Sequence, residues 1–241
     1  MKEILKYSCL IFLYALSHSY LATCFAIDLK IKGYEERYIG LSLSFWGIGV
    51  ILGALLHNLI RKKLNLISTI LYGSLIQFTF SLIFIIDQNT FLVALMQFVM
   101  GITSAINSLT LESYISSKFK KTSGFYISLF WSSAGLGAIT GSLFIAINGI
   151  NNLTYYIAIL FFLMHFIPIY LFHSSISKIA IENLSLRLSK NVISKIKYLL
   201  FCVILFGACD AGFSSLFPSY LLEESYSCLL YTSDAADEKR W

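Results

Sequence analysis

Fixed charge is what this chain has least of. Asp, Glu, Lys and Arg make up 13 % of its 241 residues, about half the share of an ordinary soluble domain. That scarcity, with 57 % hydrophobic residues and a mean hydropathy of +0.75, excludes a soluble globular protein. Ordered cysteine patterns are also missing. Cys9, Cys24, Cys202 and Cys209 lie inside apolar runs, and none has Cys-x-x-Cys or Cys/His spacing, so neither a disulfide framework nor a metal site is predicted. No small-x-small cleavage site follows the first apolar run, which is too long for a signal peptide and stays in the mature protein.

What is present is a series of long apolar runs. About 20 residues at 1.5 Å rise cross a roughly 30 Å hydrocarbon layer. Seven stretches meet that requirement: 6–28, 39–60, 66–87, 91–115, 124–147, 153–173 and 198–222. The fold class predicted is all-α, a polytopic helical membrane protein. The formal charge of +5 is no nucleic-acid footprint, because its cations sit between the spans. The amino terminus and the even loops carry thirteen Lys and Arg, among them Arg61–Lys63, Lys118–Lys121 and the run from Lys178 to Lys197, against Lys30, Lys32 and Arg37 in the odd loops. The positive-inside rule then places the amino terminus in the cytoplasm. Frequent Ile, Lys, Asn, Tyr and Phe indicate an AT-rich, bacterial source, hence a cytoplasmic (inner) membrane.

Loops between the first six spans are short, which makes consecutive spans antiparallel neighbours. Residues 174–197 are the exception: long, basic and partly amphipathic, they read as a cytoplasmic connector lying on the membrane surface. The expected organisation is therefore a six-span unit at 1–173, the connector, and the first span of a second unit at 198–222. A shift of 192 residues sets His18 of the first span on Asp210 of the seventh, as parallel repeats would. Residues 228–238 resemble the conceptual translation of a sequencing adapter, so 228–241 is set outside the fold and the chain is expected to be a fragment, inactive without its remaining half.

Few residues in the spans can carry chemistry. Gln97, Gly101, Ser104, Ser108 and Glu112 recur at steps of three and four, within about 80° of one another on a helix. A polar stripe is costly in lipid and should face the bundle interior or a water-filled cavity. Glu112 lies about one turn from the basic loop, where a salt bridge to Arg61 or Lys62 would latch the cytoplasmic side. His18 and Asp210 are the other ionisable groups at depth, and Ser214 shares a face with Asp210. His165 and His173 read as packing and interface residues.

Between the second and third spans the chain reads Gly53-Ala-Leu-Leu-His57-Asn-Leu-Ile60-Arg61-Lys62. This resembles the loop signature of the major facilitator superfamily (MFS). Gly53, Arg61 and Lys62 match, while His57 replaces an Asp and Ile60 a second Gly. The small residues of the second span, Gly40, Gly47, Gly49 and Gly53, add to the likeness, as do Gly137 and Gly141 of the fifth. Ala138 and Ser142 replace Pro and Gly there, which weighs against an antiport signature. The resemblance implies a six-helix amino-terminal bundle plus a seventh span, in which spans one, four and seven line a cavity. It also implies alternating-access transport of a small-molecule solute, with or without a coupling ion, and neither enzymatic chemistry nor a cofactor. Membrane lipid and the remaining half of the same chain are the other partners. Two rivals fit less well. An intramembrane serine protease would use Gly212-Phe-Ser214, but its His should follow that Ser, and every His here precedes it. A seven-span receptor fits only the count: its amino terminus would lie outside, and the seventh span lacks a Lys for a retinal Schiff base.

Overall fold

The computed structural model describes residues 2–83, 89–150, 153–167 and 169–170. Among these the chain is all helical: α1 (Lys2–Ile31), α2 (Glu36–Arg61), α3 (Leu66–Ile83), α4 (Thr90–Lys118), α5 (Ser123–Asn148) and α6 (Thr154–Met164). Four of them, α1, α2, α4 and α5, are long and apolar enough to cross a membrane, and α3 and α6 are shorter apolar helices. The connector at 174–197, the seventh span at 198–222 and the tail at 228–241 lie outside the described residues.

Turn chemistry explains the boundaries. Gly33, at φ 83°, ends the run after α1, and Gly149, at φ 65°, caps α5; a side chain would strain either position. Asn89 caps α4 by accepting from Leu92 N at 2.9 Å. Asn65 accepts from Ser68 N at 2.8 Å and starts α3. At the α1–α2 turn the three cations of the odd loops meet acids: Lys30 with Glu36 (2.7 Å), Lys32 with Asp28 (2.8 Å) and Arg37 with Glu35 (3.5 Å).

Helices pair by close approach of small residues. α1 packs chiefly on α5, and α2 on α4. A Cβ at Gly137 would strike the backbone of Phe12, and one at Gly141 the backbone of Leu16 and Tyr20. On the other pair, Gly49 and Gly53 lie against Phe98, Ile102 and Ala105, while Gly101 lies against Trp46 and Val50. Without a hydrophobic drive between helices in lipid, such contact supplies the association.

The interior is layered. One apolar cluster gathers Tyr20, Cys24, Phe25 and Leu29 with Ile39, Val93, Met96, Ile145 and Phe162. A second gathers Ile4, Tyr7 and Ile11 with Ile70, Tyr114, Ile115 and Phe130. α1 runs through both, and its residues between them, Tyr14, Ser17 and His18, open a polar belt.

Candidate functional site

The belt is built from side chains of α1, α2, α3 and α4 and from His165, the C-cap of α6. His18 of α1 has its ring 5.3 Å from that of Trp46 on α2, and Gln97 of α4 is its polar neighbour. One turn back on α1, the Tyr14 ring stacks on His18 at 6.2 Å and meets the ring of His165, the residue after α6, at 5.7 Å. The Tyr14 hydroxyl points among Gln77, Ser104 and Trp46. Gln77 of α3 donates through Nε2 to Thr103 Oγ1 at 2.8 Å, and Ser17 Oγ meets His165 Nε2 at 3.1 Å. Beside these groups lies a cavity of about 20 Å³, lined in part by Tyr14, Ser74, Ser104, Asn107, Ser108 and His165. That is room for one water.

Hydrogen bonding in the belt is incomplete. Tyr14 Oη, His18 Nε2, Trp46 Nε1, Gln77 Oε1, Gln97 Oε1 and Asn107 Oδ1 are buried and complete no hydrogen bond of good geometry among the described residues, although Tyr14 stands near Gln77, Ser104 and Trp46, and His18 near Gln97. Buried polar atoms are normally paired, so six such atoms inside one bundle mark a place for water or a polar guest. Donors and acceptors are mixed, and no fixed charge stands among them. The groups present can bind and orient a guest by hydrogen bonds and ring faces. No group of three or more His, Cys, Asp or Glu is placed to hold a metal among the described residues.

Of the residues singled out in the sequence, the structure brings His18 and Gln97 together and puts Ser104 and Ser108 on the cavity wall. Asp210 and Ser214 lie outside the described residues. The stripe on α4 divides: Gly101 serves the crossing with α2, while Gln97 and Ser104 are buried in the belt. Asn107, Gln77 and Trp46 escaped the sequence reading, and His165 is placed there only as a packing or interface residue. Asn107 lies one step round α4 from the predicted stripe, Gln77 is a single amide in an apolar run, and His165 reads as packing until Ser17 is seen beside it. The usable signal was Tyr14 with His18, a polar pair at helical spacing.

Toward the α2–α3 loop, Gly53 sits on Ile102 and Ala105, and His57, one turn on, is buried with its Nε2 unpartnered. Arg61 is the last residue of α2 and Lys62 its C-cap. Glu112 is not brought to either. Its Oε1 accepts from Trp131 Nε1 of α5 at 2.5 Å. The tight connection through residues 119–122 folds α5 back alongside α4, which sets Trp131 and Glu112 at similar distances from the turn. Across the α1–α5 crossing, Ser142 meets Ser19 Oγ at 2.6 Å and Thr23 Oγ1 at 3.1 Å.

A family model described as Major Facilitator Superfamily matches residues 7–234. The chain belongs to the major facilitator superfamily. No curated protein matches it. MFS membership and the apolar helices make it an integral membrane protein of a transporter family. In that setting the glycine contacts of α1 with α5 and of α2 with α4 are the packing of its helical bundle. The belt is what that packing encloses.

Proposed function

We propose that the chain carries a small solute across the membrane by alternating access, with no covalent step. The observation that supports this most is the belt itself: six unpartnered polar atoms inside the bundle. Keeping such atoms in lipid is costly, and a transport path is where a membrane protein gains from them. His18, Gln97, Ser104 and Ser108 form the near side of the path in this reading. Asp210 and Ser214 of the seventh span complete it from the second half. Gly53, His57, Arg61, Lys62 and Glu112 sit where the cytoplasmic side opens, with Glu112 held by Trp131. Gly137 and Gly141 keep α5 tight on α1 while the halves rock. The amino terminus is cytoplasmic and the membrane a bacterial inner membrane. The solute and the lipid around the bundle are the partners, and nucleic acid is not.

Substituted-cysteine labelling tests it. In a chain whose own cysteines are replaced by serine, Ser108→Cys should react with a membrane-impermeant maleimide from the aqueous side. Leu136→Cys, on the exposed apolar face of α5, should not. If Ser108→Cys is inert from both sides, the path is not there.

A further inference from the structure

The two ends of the bundle treat their cations differently. At the α1–α2 turn each cation has an acid: Lys30 meets Glu36 at 2.7 Å, Lys32 meets Asp28 at 2.8 Å and Arg37 meets Glu35 at 3.5 Å. The opposite end gathers two basic loops. α2 and α4 run parallel, since Gly49 meets Phe98 and Ile102 while Gly53, one turn on, meets Ile102 and Ala105. Their last residues, Arg61 and Lys118, therefore lie toward the same end. Lys118 turns back on Tyr114, its Nζ 3.0 Å from the hydroxyl. Arg61, Lys62, Lys63, Lys120 and Lys121 meet no acid among the described residues. Glu112, the acid of α4, accepts instead from Trp131.

Membrane insertion calls for cations on one side, but not for cations that stay unpaired once the helices have packed. The next polar stretch of the chain, 174–197, brings five Lys or Arg against Glu182 alone, so it adds to the excess. Rings stand at the same place. Phe119 and Phe125 lie 4.4 and 5.5 Å from Tyr126, and Phe125 is 69 % exposed. Long cationic side chains beside an exposed ring suit the headgroup zone, where the ring enters the acyl boundary and the charged tips reach phosphate.

We propose that this end of the bundle docks on anionic phospholipid, with Arg61, Lys62, Lys63, Lys120 and Lys121 holding phosphodiester oxygens and Phe125 seated at the acyl boundary. Charge selects the occupant: a zwitterionic headgroup brings its own ammonium and leaves the five cations uncompensated. The contact is made of ion pairs and hydrogen bonds, and nothing is transferred. It rests on the place of the chain in a membrane and not on the transport reading.

The test uses the full chain reconstituted in phosphatidylcholine, with a trace of spin-labelled phosphatidylglycerol or of spin-labelled phosphatidylcholine. The two spectra give the ratio of their association at the protein surface. Phosphatidylglycerol should be favoured about fivefold, the factor that one cation near the headgroups supplies, and the ratio should fall as salt rises. Substituting Lys63→Gln, Lys120→Gln and Lys121→Gln together should lower the ratio by about half or more. If that variant does not fold, Lys120→Gln with Lys121→Gln keeps the cations after α2 and should lower it in the same direction. Lys30→Gln, Lys32→Gln and Arg37→Gln, at the paired end, should leave it unchanged. A ratio near one in the unaltered chain would overturn the proposal, as would equal losses from the two ends or a ratio that no variant moves. Loss of the preference on adding inorganic phosphate at constant ionic strength would assign the cations to a soluble anion and also overturn it.

Discussion

The belt and the layers on either side of it are made from the same helices, yet they follow opposite rules. In the apolar layers every large side chain meets others: Tyr114 packs edge-on to Tyr7 at 5.3 Å, and Tyr20 edge-on to Phe161 at 5.2 Å. In the belt the rings are as close, but the polar atoms of Tyr14, His18 and Trp46 complete no hydrogen bond of good geometry. The layers are arranged for stability. The belt gives some up, as sites that must accept a guest do. The contrast predicts that truncation should hurt the layers and that removing polarity should help the belt.

The largest effect is expected at Phe130, fully buried in one layer. Phe130→Ala should cost about 3–5 kcal/mol, seen as a loss of monodisperse protein or a steep fall in Tm in detergent. A mild effect there would remove the distinction between layer and belt. Next comes the crossing that holds both. Gly141→Val drives a branched side chain into the backbone of α1 and should cost about 1–3 kcal/mol or more. Gly135→Ala, which meets open space, should leave Tm unchanged or raise it slightly; equal losses at the two glycines would deny that close approach is what matters.

Within the belt the sign should reverse. Gln97→Leu removes an amide whose Oε1 has no partner and should stabilise by about 1 kcal/mol, while its Tm rises and solute movement is lost. A destabilised Gln97→Leu would show that the amide is a structural member rather than a waiting one. The smallest effect should lie outside both regions. Asn89→Ala deletes the cap of α4 and should cost about 1 kcal/mol, read as a small Tm shift with Ser108→Cys labelling unchanged.

Much of the fold was legible in the sequence because lipid imposes one-dimensional rules. Helix length, the position of cations and the spacing of Gly137 and Gly141 can all be read along a line. The site was legible only where its residues repeat on one helix, as Gln97, Ser104 and Ser108 do on α4. Gln77 and His165 stand alone in apolar runs, and no spacing within one helix marks a residue whose partner comes from another. Glu112 shows the same limit from the other side. Its charge invited a basic partner, but the turn at 119–122 gave it an indole.

By itself, then, the sequence determined that this chain is helical and lives in a membrane, because burying backbone in lipid leaves helices as the solution for runs of this length. It also determined where the helices bend back, through Gly33, Asn65, Asn89 and Gly149. Only the tertiary structure decided which faces meet. Glycine contacts rotate α4 onto α2 and α5 onto α1, and that rotation alone sets His18 beside Gln97 and Ser17 beside His165. The polar belt is a property of those rotations, which depend on packing between helices that no single helix encodes.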